Sequence, residues 1–264
     1  MSRGILILAQ NNAHTDYVFC AKVLCRRIKQ LMPETHVTLL TDKLIDRGPF
    51  DHVNTFQAED QCTDKNWKLA NDWQIYDGTL YEHTLKIEAD VFLPRRIDHW
   101  WDTLIKHDLV LMTTIRNYTN EISQERFYRR FVQENNLPDI YNAITYFKKG
   151  RLAQQFFITV RDIFDNWDSY LSILKEVGQT EPTTDFVYSL AAHIIGPERC
   201  TIPGFTEFSM IHMKQMINGL ATHAWTDQLV YEISRESLRI NTIPQLYPVH
   251  YHIKGFAHEL SSRI

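Results

Sequence analysis

Glycine and proline are scarce in this sequence, nine of each in 264 residues, and nowhere do they gather into a linker, repeat or low-complexity tract. No G-x-G-x-x-G turn follows the first apolar run, and no G-x-x-x-x-G-K-[ST] loop occurs anywhere. Those glycines let a backbone approach a pyrophosphate, so a dinucleotide-type Rossmann site and a P-loop are both excluded. A nucleotide bound here needs its phosphates neutralised by other means, for which a metal ion is the obvious candidate. Cysteine is equally sparse. Cys20, Cys25, Cys62 and Cys200 form no C-x-x-C pair and no metal-ligand spacing, and read as reduced core thiols of an intracellular protein. Long apolar runs are missing too: Ile5 to Ala9 is too short for a signal peptide or a membrane span. These absences predict a cytoplasmic protein with no membrane partner. Nor is there a large excess of either charge. The 28 basic and 32 acidic residues give a net charge of -4, so the whole molecule is no polyanion binder, although a local basic face stays open.

What is present suits a folded α/β protein, because 44% hydrophobic and 12% aromatic residues can build a large core without disulfides. Gly4 to Ala9 reads as a strand buried on both faces, Asp16 to Leu31 as an amphipathic helix ahead of Pro33, and His36 to Leu40 as a second strand. This βαβ opening favours an open, mostly parallel sheet flanked by helices. Further strands are expected at Leu85 to Val91, Leu109 to Thr114 and Asn142 to Phe147. Helices are expected at Ile97 to His107, from Arg151 onward, and after Pro182-Thr183. Trp100 and Trp101 read as core residues in preference to a sugar-stacking platform.

Glu88 and Asp90 lie two apart at the polar end of an apolar strand, so both can point to one face. Two converging carboxylates can bind Mn²⁺ or Mg²⁺, hard ions that prefer oxygen. By itself E-x-D is a weak pattern, equally met as two solvated acids. Its surroundings add weight. Asn71 to Pro94 (N-D-W-Q-I-Y-D-G-T-L-Y-E-H-T-L-K-I-E-A-D-V-F-L-P) resembles the GT-A glycosyltransferase pattern, in which an Asn- or Arg-containing helix leads to a Y-x-x-T-L-x-L-D-A-D-x-L strand. The opening strand, helix and strand ending in Thr41-Asp42 resemble the uridine-binding half of that fold. Tyr141 to Lys148 is similar to its N-A/S-G-x-x-x-F strand, and Thr184-Asp185-Phe186 to the acidic motif of its late helix. Val249 to Gly255 (V-H-Y-H-I-K-G) resembles the C-terminal His and Lys of the glycogenin-like retaining transferases. Two departures stand out: Glu88 replaces the usual Asp, and Ile144 replaces the Gly.

The resemblance implies a GT-A-type, Rossmann-like single domain over residues 1–264. Residues 1–114 would form the nucleotide-sugar half, and residues 115–264 a partly helical acceptor side ending in a closing segment. It implies a UDP-sugar donor whose nucleoside meets Ala9, Gln10, Asn11, Thr41 and Asp42. Lys86 and Lys254 would lie by the diphosphate, with Glu88, Asp90 and either His250 or His252 on a Mn²⁺ or Mg²⁺ ion. Asn142 and Asp185 would face the reacting sugar, with Asp185 a base or a positioning group according to whether configuration is inverted or retained. Each residue has a plainer reading. Asp42 could start a turn, Lys86 could pair with Glu88, Lys254 could be a surface lysine, and Asp185 could cap its helix. Asn142 could simply be a polar residue at a strand start. His83, His193, His212 and His223 receive no assignment.

Lys86 to Trp101 is further similar to GT-A transferases of large tailed phages, some of which glycosylate hydroxymethylcytosine in DNA, including arabinosyl-transferring ones. That implies a duplex DNA partner, a UDP-pentose or UDP-glucose donor, and a host-cytoplasm setting. Arg95-Arg96, Arg126, Arg129, Arg130, Lys148, Lys149 and Arg151 could supply the basic face, although such a run is more often a solvated helix. Two other classes compete. A sugar-phosphate nucleotidyltransferase would carry a Gly-rich N-terminal loop, which residues 4–14 lack. A catalytically silent nucleotide-sugar-binding protein would explain Glu88 as a degraded ligand.

Overall fold

The computed structural model describes residues 2–62, 68–125, 129–178, 180–235 and 237–264, and all that follows concerns these. The chain opens with β1 (Arg3–Leu8), α1 (Tyr17–Leu31), β2 (Val37–Thr41) and β3 (His52–Thr55). Asp16 caps α1, its Oδ1 accepting the Phe19 N–H at 2.8 Å, so the expected helix begins one residue later with Asp16 as its cap. A 3₁₀ segment at Leu69–Gln74 runs into α2 (Ile75–Gly78), then β4 (His83–Glu88) and β5 (Val91–Phe92). After these come α3 (Trp101–Leu104), β6 (Leu109–Met112), β7 (Thr114–Arg116), α4 (Arg130–Glu134), β8 (Tyr141–Lys148), α5 (Arg151–Asp165), α6 (Trp167–Leu171) and α7 (Thr184–Ile195). The chain then forms β9 (Ser209–His212), α8 (Gln215–Asn218), β10 (Tyr231–Ile233), β11 (Leu238–Ile240), β12 (Ile243–Pro244), β13 (Val249–His250) and α9 (Phe256–Arg263).

The central sheet has the order β3-β2-β1-β4-β8-β6. The β1, β2, β3 and β4 pairings are parallel, whereas β8 runs antiparallel to both β4 and β6. β8 belongs to the second half of the sequence yet sits between two strands of the first, so the two halves share one sheet. Alternation sorts the strand residues. Ile5, Ile7, Leu85 and Ile87 join one core with α1, α9 and the smaller sheets, while Leu6 and Phe147 join another with α5 and α7. Trp100 and Trp101 are 2% and 4% exposed, hence core residues.

Two expected strands are broken: Leu109 to Thr114 divides at Thr113 into β6 of the central sheet and β7 of a second one. Leu85 to Val91 also reads as continuous, but the chain leaves the central sheet at Glu88, turns through Ala89 and Asp90, and resumes as β5 in that second sheet, of order β5-β13-β9-β7. The acid pair therefore sits at a corner between two sheets. The segment expected to close the site carries β13, an interior strand of that second sheet, and α9, which buries Phe256, Ala257 and Leu260 beside α1. It is woven into the fold because Val249 and Tyr251 are core residues. Among the described residues no helix is long and apolar enough to cross a membrane, and all four cysteines are free and buried.

Arg27 on α1 braces the corner. It is 1% exposed and donates to the carbonyls of Leu93 at 2.7 Å, Pro94 at 3.0 Å and Arg235 at 2.5 Å, with its guanidinium over the Phe92 ring. Arg27→Leu leaves those carbonyls without donors, each unsatisfied group costing about 1–3 kcal/mol. Urea denaturation should show a stability loss of about 3 kcal/mol or more with an unchanged m value.

Candidate active site

The parallel pairings place the carboxyl ends of β1, β2 and β4 side by side, with Leu8 opposite both Leu40 and Glu88. In open α/β sheets this is the edge where ligands enter. Ala9, Gln10, Asn11, Thr41, Asp42, Glu88 and Asp90 all lie at or just beyond those strand ends, so the topology gathers residues that the sequence scatters over eighty positions.

Within the gathered set the side chains are differently engaged. Gln10 is buried, donating from Nε2 to Asp60 Oδ2 at 2.6 Å and accepting from Asn71 Nδ2 at 2.8 Å. Asn11 Oδ1 accepts the Val18 N–H at 2.9 Å and so ties the β1 end to α1. Asp42 is exposed and accepts from the buried Thr41 hydroxyl at 3.1 Å. Ala9 is buried, its N–H donating to Leu40 O at 3.0 Å.

Beneath the acid corner lies a fully buried cation. Lys86 Nζ stands 3.2 Å from Asp72 Oδ1 and 3.4 Å from Glu88 Oε1, and donates to Asn142 O at 3.1 Å. Tyr188 of α7 donates to the other Asp72 oxygen. Burial alone would lower the Lys86 pKa, but the Asp72 and Glu88 carboxylates outweigh it and hold the ammonium above its ordinary value. Of the two readings of Lys86, the geometry shows the pairing with Glu88. Asn142 is likewise held from both sides, its Nδ2 lying 3.4 Å from Glu88 Oε1 and its backbone N–H donating to Asp185 Oδ1 at 2.8 Å. The second Asp185 oxygen accepts from Arg129 Nη1 at 3.1 Å. Asp185 thus reaches across from the first turn of α7 with both oxygens engaged, and does more than cap its helix.

The C-terminal motif arrives on β13. His250 Nε2 lies 3.1 Å from Asp90 Oδ2 and 3.5 Å from Glu88 Oε2, and the Lys254 ammonium contacts Asp90 while standing over the Tyr17 ring. Between the two histidines the structure brings His250 to the acids. His252 instead sits against His212, with His252 Nε2 3.3 Å from His212 Nδ1. Burial pushes the Glu88 carboxyl up despite Lys86 and His250. For Asp90 burial is outweighed by His250 and Lys254, which hold it well below the usual range. Burial, followed by the neighbouring His and Lys side chains, holds His212 and His252 well below the ordinary imidazole value, with Asp90 opposing the shift at His252.

The donor set of Glu88, Asp90 and His250 offers ligand atoms within 4.8 Å of one another. Adjacent ligands of an octahedral ion at about 2.1 Å stand about 3 Å apart, close to the observed His250–Asp90 and His250–Glu88 separations. Two oxygens and one imidazole suit Mn²⁺ or Mg²⁺. The Lys254 ammonium on Asp90 shows that the corner already holds one cation. These residues fit a divalent ion. A cavity of 420 Å³ lined by Asp165, Trp167, Asp168 and Glu181 shares no residue with this cluster. Its carboxylates make it unfavourable for a diphosphate.

Asp72, Tyr188 and Arg129 were not legible as site residues. Asp72 is one acid in a mixed helix-turn segment, and its importance comes only from Lys86 pointing under it. Arg129, expected on a basic surface, is 2% exposed and paired with Asp139 at 2.9 Å and Asp185. It packs 4.2 Å from the Tyr141 ring centroid. Arg126 lies outside the described residues.

No protein-family model and no curated protein matches the sequence. Solved structures do match. The galactosyltransferase LgtC in complex with donor and acceptor sugar analogs shares 12% identity and a TM-score of 0.57, over 98% of this chain and 95% of that one. The apo-form glycosyltransferase GlyE of Streptococcus pneumoniae TIGR4 shares 10% identity and a TM-score of 0.52, over 99% of this chain and 60% of that one. At such identities the likeness is one of fold, and the fold is GT-A: a Rossmann-like mixed sheet flanked by helices.

The buried Lys86 is a stability test of the site's foundation. Lys86→Met strands Asp72 beside Tyr188 and should cost about 3–5 kcal/mol in chemical denaturation. Adding Asp72→Asn to the same chain should recover part of that loss, and a double-mutant cycle measures the coupling.

Proposed function

We propose that this protein is a metal-dependent glycosyltransferase, moving a sugar from a UDP-sugar donor to an acceptor hydroxyl. The observation that carries the reading is the convergence of Glu88, Asp90 and His250 at the carboxyl edge of a GT-A sheet, with Lys254 beside them. Glu88, Asp90 and His250 would hold Mn²⁺ or Mg²⁺, whose chemistry there is to neutralise the diphosphate as it leaves. Lys254, beside Asp90, would supply a point charge to the same phosphates. The Ala9-Gln10-Asn11 turn and Thr41-Asp42 meet the nucleoside, Asp42 being exposed where a ribose or base would lie. Lys86 lies under Glu88 and partly offsets the cost of burying its charge. Asn142 orients the sugar, and Asp185 fixes Asn142 and Arg129 as a positioning group. A silent nucleotide-sugar-binding protein would share the binding residues but not turn over, and donor hydrolysis with Mn²⁺ separates the two.

For the acceptor, a saccharide or small-molecule hydroxyl is the reading the surface favours. The alternative, arabinosyl or glucosyl transfer to hydroxymethylcytosine in duplex DNA, rests on the Lys86 to Trp101 resemblance. Its basic face is thinner than the sequence suggests, because Arg129 is buried and Arg96 is paired with Glu34 and Asp98. Arg95, Lys149 and Arg151 stay exposed. A DNA acceptor predicts binding that weakens steeply with salt and a sugar adduct on the modified base by mass analysis. Transfer to saccharide with salt-insensitive, negligible DNA binding decides against it.

Asp90→Asn should lower Mn²⁺-dependent transfer and donor hydrolysis by more than about 100-fold, since even outer-shell changes at metal sites cost 10–100-fold. Glu88→Asp should keep more activity than Glu88→Gln. Full Asp90→Asn activity in chelator would end the metal reading. Because β13 is an interior strand, the C-terminal motif is tested by point substitution: Lys254→Met should weaken nucleoside-diphosphate binding by about tenfold in calorimetry, with an unchanged far-UV spectrum.

A further inference from the structure

Beside the acid corner lies a second cluster, of which the proposed reaction uses only His250. His212 ends β9 and His250 ends β13, and the two are register partners on neighbouring parallel strands. His252 follows at φ 57°, a left-handed conformation uncommon for a residue with a side chain, which folds its ring back over His250 at 3.9 Å between centroids. The three rings offer ligand atoms within 4.8 Å of one another. His252 Nε2 and His212 Nδ1 are 3.3 Å apart, the spacing of two ligands held at about 2.05 Å by a tetrahedral ion. His212 is 2% exposed, and both His212 Nε2 and His250 Nδ1 are buried without a hydrogen-bond partner. Ring nitrogens left without a partner in a protein interior call for an explanation.

We propose that His212, His250 and His252 form a second metal site, taking a borderline transition ion such as Zn²⁺, and that it competes with the carboxylate site for His250. Ligand chemistry separates the two. Three imidazoles suit Zn²⁺, whereas two carboxylates with one imidazole suit Mn²⁺ or Mg²⁺. An imidazole that keeps one N–H offers a single lone pair, so His250 can ligate one ion at a time through either nitrogen, and filling one site weakens the other. Zn²⁺ would then act as an inhibitor by taking the imidazole that completes the carboxylate set. The competition, unlike the three-histidine site itself, rests on the metal-dependent transferase reading.

The test uses the full-length, metal-stripped protein and Zn²⁺ alone, titrated against a chromophoric chelator, with Co²⁺ as a spectroscopic reporter of geometry. The wild type should take up one Zn²⁺ and give the intense visible bands of four-coordinate Co²⁺. His212→Gln and His252→Gln should each weaken Zn²⁺ by at least about tenfold and abolish those bands. Glu88→Gln should change Zn²⁺ affinity by less than about threefold while weakening Mn²⁺. Zn²⁺ should raise the Mn²⁺ concentration needed for nucleoside-diphosphate binding in the wild type but not in His212→Gln. Should His212→Gln misfold by circular dichroism, the more accessible His252→Gln and the wild-type Co²⁺ spectrum decide. A wild type that takes up no Zn²⁺ overturns the site and leaves a hydrogen-bonded imidazole pair only. So does Zn²⁺ binding that survives both histidine variants and disappears in Glu88→Gln. Mn²⁺ binding lost in Glu88→Gln in either case leaves the transferase reading standing.

Discussion

The pairing of Lys86 with Asp72 and Glu88 is the constraint on which the rest of the site depends. A buried ammonium is tolerated only where carboxylates and carbonyls surround it, and here they come from three separate elements. Lys86 fixes Glu88 from below, takes the Asn142 carbonyl, and holds Asp72 against Tyr188 of α7. Through Asn142 the order extends to Asp185 and Arg129. One charge inside the sheet thereby sets the positions of groups on β4, β8, α7 and the segment before α2. Apolar replacements could give equal stability but not the same fixed geometry at the rim.

Above that foundation the corner is built for positive charge. Glu88 and Asp90 belong to one turn, but their environments push them in opposite directions, because Asp90 faces Lys254 and His250 while Glu88 is burdened mainly by burial. An ammonium now balances Asp90. A divalent ion would supply twice that charge to both acids at once. The two readings of this corner, catalytic and merely binding, share the same electrostatics and part only at turnover.

Much of this was legible in the residues. The apolar β1, the amphipathic α1 and the Lys86/Glu88 alternation follow from period alone, and the GT-A resemblance is matched by the fold. The break after Glu88 was not legible, because Ala89 and Asp90 fit a strand continuing to Val91 as well as a turn. Arg129 looked like a surface residue since its neighbours in sequence are basic, yet Asp139 and Asp185 draw it inside. His212 carried no signal at all: one histidine at a strand end among twelve becomes informative only when β13 places two more beside it. Long-range partners of this kind leave no local trace in a single sequence.

His250 and Asp90 are 160 residues apart in sequence, yet their side chains meet. In the denatured chain the acids would face solvent as an isolated pair, and the loop-closure entropy needed to bring the imidazole to them is supplied only when β13 enters its sheet. The ion would therefore have little affinity for the unfolded ensemble, so its full binding free energy would appear as conformational stability. A bound cation at this corner is then a non-covalent cross-link between distant stretches of chain. With such an ion bound, the melting temperature of the whole fold would become a measure of how much ion the surroundings provide.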